Sequence, residues 1–401
     1  MLKHNLQTTD KRLDTPMAEL KEVAVAFRGG EPHLARLLTG IADYAQQCGR
    51  WTLGFSPEAL IMPMKNLKGW PGDGVLALLH TEAEARAARQ LGRPVVNLSG
   101  ALKATGLPRV VVDYRRAGSL AAEHLMERGF RRFAFYGLKH LWYSDQRKQG
   151  FVGRLEEVGF PCEVLEVPSG FDTPRPWRYW IEPLREWLAR LKPPVGLLAV
   201  HDSRAALVVD ACLRIGLVVP HDVAVVGVDN EPFACQFARV PLTSVSRNDR
   251  RVGYQAAALL DGLMLGERPP AEDLLVPPDG IVRRRSTDTL AVEDRDVRRM
   301  INFVNDHIHE AFGVERLERL VPFSRRSLEH RFKECLHCTP YDYINRARVQ
   351  RAEDLLAAPT KQTLGQIARA CGFRDTRRLR IVFRQITGTT PSDYRRRLSD
   401  F

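Results

Sequence analysis

Two sets of residues in this chain are spaced to bind something rather than to fill a core. The first set follows short apolar runs. Arg28 and, a turn later, Glu31 and His33 come after EVAVAF; Ser99 follows VVNL; Asp113 and Tyr114 follow VVV. Trp142, Tyr143, Asp145 and Arg147 come after RFAFYG, His201 and Asp202 after VGLLAV, and Asp229 and Asn230 after VAVVGV. Carboxylates, an amide, a guanidinium and aromatic rings suit a polyhydroxylated ligand. The planar groups take paired hydroxyls, and ring faces pack on C–H edges. Each Asp or Ser could instead cap a helix N-terminus, but Arg147 and the aromatic residues have no capping role.

The second set lies in a repeat. Phe332, Thr339, Pro340 and Tyr343 recur as Phe383, Thr390, Pro391 and Tyr394, each 51 positions later, and Leu328 recurs as Leu379. Each copy reads as a short helix, a tight turn and a second helix rich in arginine. In copy one Ser324 is the N-cap, and Leu328 and Phe332 at i, i+4 face the core. Arg325, Arg326, Glu329, His330 and Lys333 are left facing outwards. In copy two Gly372 supplies a positive φ in the turn and Asp375 caps the second helix. Leu379 and Phe383 are its core, with Thr376, Arg377, Arg380 and Arg384 outward. Arginine near the N-terminus of a helix in the major groove reads guanine bidentately, and arginine nearer the helix ends binds phosphate. Between the copies, Tyr341 to Ala357 reads as one helix, roughly 25 Å long. A DNA turn is about 34 Å, so a rigid spacer of this order presents two readers to successive major grooves.

The elements that must hold the first set are α/β. Apolar strands of five or six residues alternate with amphipathic helices from Glu22 to Leu265, which implies parallel sheets covered on both faces. About nine strands over some 260 residues exceed one mononucleotide-type unit and point to two side-by-side α/β lobes. In such sheets ligands sit beyond the carboxyl ends of the strands, where the first residue set lies. The expected organisation is a flexible tail over 1–20, a ligand-sensing domain over 21–285, a linker over 286–296 and an all-α DNA-binding domain over 297–401. The first 20 residues lack the apolar core of a secretory signal.

Charge agrees with a polyanionic partner. The 401 residues carry a net +12, with a pI near 9.6, and the segment after Ala291 holds 22 Lys+Arg against 15 Asp+Glu. Seven scattered cysteines suggest reduced thiols in a cytoplasm. No apolar run reaches the length of a membrane span. Cys335-x-x-Cys338, near His330 and His337, lacks a second ligand pair, so neither a metal nor another cofactor is expected. The alternative is a sugar-active enzyme in which Asp202 and Asp229 pair as acid and base. No Walker A, G-x-G-x-x-G or G-x-S-x-G motif accompanies them, and an enzyme needs no doubled helix-turn-helix, so no enzymatic activity is expected.

IARACGF and LRIVFRQITGTTPSDYR, over 367–395, resemble the second helix-turn-helix signature of the AraC-type transcriptional regulators. SRRSLEHRFKECLHCTPYDYI, over 324–344, resembles the first. The N-terminal part is similar to LacI-type, periplasmic-binding-protein-like sugar sensors. GWPGDGV, RFAFYGL, GVDNE, GYQAA, LVPP and RRSTD resemble, in the same domain order, the xylose-operon regulators. The resemblance implies a transcription factor that binds a double-stranded DNA operator under control of a monosaccharide such as xylose, held between the two lobes. It implies sugar contacts from Arg147, Asp202 and Asp229. It implies base reading by Arg326, Glu329 and His330 in copy one and by Thr376, Arg377 and Arg380 in copy two. A homodimer is expected, and contact with RNA polymerase if the protein activates. Ile381 stands where AraC-type members often carry a polar or basic reader, so copy two is expected to lean more on phosphate contacts.

Overall fold

The computed structural model describes residues 20–27, 33–54, 62–169, 176–289, 291–292, 294–336, 338–357 and 362–399. Short apolar runs bounded by Gly, Pro or polar turns form its strands, and the periodic stretches form its helices. In chain order the elements are β1 (Lys21–Ala26), α1 (Leu34–Cys48), β2 (Trp51–Gly54), β3 (Gly74–Ala77), α2 (Glu82–Arg89), β4 (Val95–Asn97), β5 (Val110–Val112), α3 (Tyr114–Glu127), β6 (Phe133–Leu138), α4 (Trp142–Glu156), β7 (Cys162–Val167) and α5 (Trp177–Arg190). There follow β8 (Val195–Ala199), α6 (Asp202–Arg214), β9 (Val223–Val228), α7 (Pro232–Phe237), β10 (Thr243–Ser246), α8 (Asp249–Met264), β11 (Leu274–Val276) and β12 (Gly280–Val282). The rest is helical: α9 (Arg295–Asp306), α10 (Val314–Glu318), α11 (Arg325–Leu336), α12 (Pro340–Ala357), α13 (Leu364–Ala370), α14 (Thr376–Thr387) and α15 (Pro391–Ser399). Among the described residues no helix is long and apolar enough to cross a membrane.

The chain forms two compact units. The first comprises Met1–Ala117, Lys139–Arg147 and Ser246–Gly280. Its sheet is parallel in the order β2-β1-β3-β4. A bridge from Asn97 to Arg109 leads on to the parallel pair β5 and β11. The buried parts of β1, β3 and β4 are almost wholly apolar, as expected of a sheet covered by helices on both faces. Val23, Val25, Leu76 and Val96 pack with Leu37 and Ile41 of α1 and with Val252, Ala256 and Leu260 of α8. Helices α1 and α8 approach through two glycines. A Cβ on Gly40 would lie 1.9 Å from the Arg250 carbonyl, and one on Gly253 would lie 2.2 Å from that of Leu37.

The second unit comprises Gly118–Leu138, Lys148–Val245 and Ile281–Phe401. Its six-stranded sheet runs β12-β10-β9-β8-β6-β7. The pairs from β10 through β7 are parallel. Strands β7, β10, β11 and β12 are absent from the apolar-run reading, for identifiable reasons. Strand β7 (CEVLEV) is half exposed, β10 (TSVS) is polar although buried, and β11 and β12 are three residues each.

The helical part of this unit has two small cores, one per repeat. Leu317, Leu328, Phe332 and Ile344 belong to the first, and Ile367, Leu379, Phe383 and Val349 to the second. The 51-residue offset has a structural meaning. Phe332 meets Tyr343 edge-on at 6.0 Å, and Phe383 meets Tyr394 edge-on at 5.6 Å. Thr339 and Asp342 exchange capping bonds at the start of α12, and Thr390 and Asp393 do the same at α15. Proline follows each threonine at the first helical position, where its missing N–H costs nothing. Helix α12 gives Ile344 to the first core and Val349, Ala352 and Leu356 to the second, so it acts as a shared beam. Arg348 braces it, donating to the carbonyls of Glu310 and Phe312 and stacking on Phe312 and Phe373. The turn of copy two is closed by Gly372 at φ +66, where a Cβ would meet the Glu310 carbonyl at 2.3 Å.

Candidate functional site

In the first unit the polar residues that follow strands gather around one ring. Tyr114 opens α3, and Gly100 makes room for it, since a Cβ there would lie 2.4 Å from the Tyr114 ring. Trp142 meets Tyr114 edge-on at 5.8 Å, and Tyr143 lies 6.1 Å away. The Arg147 guanidinium, 1% exposed, sits 5.3 Å from the Tyr114 ring centre and 5.2 Å from that of Tyr143. A second guanidinium, Arg247, stands 5.9 Å from Tyr114. Arg247 pairs at 2.9 Å with Asp249, whose other oxygen takes Arg36 at 2.8 Å. Arg109 stacks on the far ring, 4.1 Å over Trp142, and is itself fixed by the carbonyls of Leu102 and Lys103 and by Asp273. This wall offers ring faces for C–H edges and guanidinium donors for hydroxyls or carboxylates.

The other predicted residues of this unit stand differently. Ser99 is buried, and its Oγ accepts from the Ala101 N–H. Asp113 caps α3 by accepting from Arg116 N–H at 2.8 Å, the alternative role weighed for such residues. His33 is buried at the start of α1. Arg28 lies outside the described residues, as do Glu31 and, in the Cys-x-x-Cys segment, His337.

In the second unit Asp202, Asp229 and Asn230 come together. Asp202 starts α6 and is 1% exposed. Its Oδ1 accepts from Ser244 Oγ at 2.6 Å; its Oδ2 accepts from Glu231 N at 2.7 Å and faces Cys235 Sγ at 3.4 Å. Gly227 leaves the space for this carboxylate, because a Cβ there would lie 2.1 Å from Asp202 Oδ1. Burial, and then the neighbouring charge of Asp229, raise the Asp202 pKa well above the usual carboxylate range. Asp229 and Asn230 both have positive φ, 109° and 48°. Backbone strain of this kind in a non-glycine pair marks a loop held in place by its surroundings. The holders are Val245, whose carbonyl takes Asp229 N–H, Ser244, whose Oγ takes Asn230 N–H, and Arg284, which donates to Asn230 Oδ1 at 2.7 Å.

Sequence reasoning passed over Ser244, Arg247, Asp249 and Arg284. None directly follows a long apolar run. Ser244 lies within the short strand β10 and Arg247 directly follows it, so position is the signal for these two.

The two second helices of the repeats present the other face. In copy one, Ser324 accepts from Ser327 N–H, and Leu328, Phe332 and Leu336 are buried. Arg325, Arg326, His330 and Lys333 are exposed. Glu329 is half-buried and pairs with Arg325 at 3.2 Å. In copy two, Asp375 accepts from Arg378 N–H at 2.7 Å, and Leu379, Val382 and Phe383 are buried. Arg377, Arg380 and Arg384 are exposed and Thr376 is half-buried. Ile381 shares this face at 42% exposure.

Comparison with known proteins agrees with both halves. Residues 122–287 match the family described as periplasmic binding protein-like domain, and residues 317–397 match a helix-turn-helix domain family. The xylose operon regulatory protein of Escherichia coli strain K12 is 30% identical over 382 residues, covering 93% of this chain and 96% of that protein. Its counterpart in Haemophilus influenzae strain Rd is 28% identical, covering 93% and 98%. A solved xylose-binding transcription activator superimposes with a TM-score of 0.76 at 27% identity, over 94% of this chain and 98% of that one. These relatives are regulators of transcription, which leaves the reading of Asp202 and Asp229 as an enzyme's acid and base without support. The chain belongs to the family of xylose operon regulatory proteins, DNA-binding transcription regulators that join a periplasmic-binding-protein-like sensor to a doubled helix-turn-helix domain.

Proposed function

We propose that a monosaccharide, with xylose the first candidate, is the effector that sets operator affinity in this protein. Arg147, Trp142 and Tyr143 supply the stacking and guanidinium contacts, and Asp202, Asp229 and Asn230 supply acceptors for paired hydroxyls. Ser99, His33 and Arg28 complete the set, and Asp113 orients α3 beside it. The observation that carries this reading is the Asp229–Asn230 loop, held at positive φ beside the buried Asp202. The relatives named for xylose support the choice of sugar.

On the DNA side, Arg326, Glu329 and His330 read bases from copy one, and Thr376, Arg377 and Arg380 from copy two. Ser324, Arg325, Lys333 and Arg384 contact phosphates. Helix α12, with 18 residues, is about 27 Å long and sets the spacing of the two readers along the duplex. The regulator works in the cytoplasm as a homodimer and, if it activates, contacts RNA polymerase.

The test is a thermal-shift series with pentoses, hexoses and sugar acids on the full chain, since a ligand raises apparent stability by mass action. D-xylose should raise the midpoint, and Asp229→Ala should abolish that rise while leaving operator binding intact. An Asp229→Ala protein with a full xylose response would sink the assignment.

A further inference from the structure

The connector after β12 is built into the second unit. Ser286 and Thr287 are completely buried. Ser286 Oγ donates to the Val225 carbonyl in β9 and accepts from Thr243 N–H in β10. Thr287 meets Thr243 and His124 at 2.8 Å each, and Thr289 meets His221 Nδ1 at 2.8 Å. The opposite nitrogen of His221 contacts the Asn305 amide on α9. A chain segment anchored this way moves with what it touches.

Two adjacent arginines of this segment point to different partners. Arg284 donates from one Nη to Asn230 Oδ1 at 2.7 Å and from the other to the Leu242 carbonyl at 2.9 Å. Its own backbone N–H and carbonyl both bond Thr243 Oγ1. Arg285 instead pairs at 3.5 Å with Asp354 of α12, the beam shared by both helix-turn-helix cores. One peptide bond therefore separates a contact to the effector loop from a contact to the spacer that positions both DNA readers.

We propose that Arg284 is the positioning residue that carries the state of the Asp229–Asn230 loop to the DNA-binding domain, with Arg285–Asp354 as the receiving contact. The inference rests on the effector reading above. A sugar hydroxyl that engages Asn230 competes for, or reorients, the same amide oxygen that Arg284 holds. The guanidinium responds, and the backbone that carries Arg285 responds with it. Arg284 itself need not touch the sugar.

Coupling is a free energy read from both ligands, so the test measures both. Operator duplexes are selected from random DNA with the full-length protein. Operator affinity is then followed by anisotropy with and without saturating D-xylose, and xylose affinity by calorimetry. Wild type should show operator affinity that depends on xylose. Arg284→Ala should still bind xylose and keep its sugar-free operator affinity, with the ratio of operator affinities falling to near one. Arg284→Lys, which keeps the charge and packing but loses the forked donor pair, should fall part of the way and guards against misfolding of the alanine variant. Arg285→Ala should lower the ratio as well, and the double variant should lose no more than Arg284→Ala alone, because the two act in series. Arg284 variants with the wild-type ratio overturn the proposal, as does Arg284→Ala that loses xylose binding, which would make Arg284 part of the sugar site. A wild-type chain indifferent to xylose and to every other sugar tested refutes the effector reading beneath it.

Discussion

Gly227→Ala is the sharpest single perturbation of the sensor. The added methyl would stand 2.1 Å from Asp202 Oδ1, and also 3.2 Å from Asp202 Cα and from Ala205 Cβ. The carboxylate must therefore retreat by about 1 Å to reach van der Waals contact, and α6 blocks part of that retreat. The displaced group loses Ser244 Oγ at 2.6 Å and Glu231 N–H at 2.7 Å. Hydrogen bonds to charged groups contribute roughly 1.5–3 kcal/mol each, and partial relaxation returns some of this, so the expected destabilisation is about 2–4 kcal/mol. Denaturant unfolding followed by tryptophan fluorescence reads the loss. Calorimetry should show xylose affinity falling with it, while sugar-free operator binding stays intact, since Arg326 and Arg377 sit on helices with separate cores. A Gly227→Ala protein with wild-type stability and wild-type xylose affinity would refute the claim that this glycine exists to seat Asp202.

Other perturbations address other parts of the molecule. Arg326→Ala and Arg377→Ala should each weaken specific operator binding by roughly 1–3 kcal/mol; equal losses on random DNA would reassign them to phosphates. Ile381→Ala should cost about 1 kcal/mol only at operators with a thymine methyl opposite that position, and an effect independent of sequence would count against apolar reading. Burial holds His124 and His221 at a pKa of about 4, below the ordinary 6.5. Both therefore take up protons on unfolding. The stability they confer is complete above pH 6.5 and is lost as pH falls towards 4, by ~2 kcal/mol each at pH 5. Unfolding curves between pH 7 and 5 should show this slope, and His221→Gln should flatten it; an unchanged slope would contradict the burial argument. Phe383→Ala should unfold copy two by removing about 3–5 kcal/mol while leaving the sensor's xylose-induced stabilisation, as hydrogen exchange can resolve.

Much of this organisation was legible in the chain because two periodicities are clean. The apolar runs EVAVAF, VGLLAV and VAVVGV are buried strands, and the repeat of Phe332, Thr339 and Tyr343 became paired caps and paired ring contacts. The rule that ligands lie beyond strand ends drew Asp202, Asp229 and Arg147 into view. What it could not reach was set by tertiary contact. Strand β10 (TSVS) is polar and short, yet it is buried and carries Ser244 to the carboxylate. Arg247 joins the Tyr114 wall from a loop distant in sequence. The connector from Ser286 read as polar linker because its threonines and serine are hydrophilic, whereas burial with matched partners is equally open to such residues. Asp113 illustrates the opposite case, a residue in the expected place whose carboxylate caps a helix.

The proposed link is between sugar occupancy and operator affinity within one chain. It is tested most directly by titrating a selected operator duplex with the full-length protein across a range of D-xylose concentrations. Operator affinity should change with xylose, and saturating operator should change xylose affinity by the same factor. Operator affinity that stays constant at every xylose concentration, in a protein that binds the sugar, would contradict it.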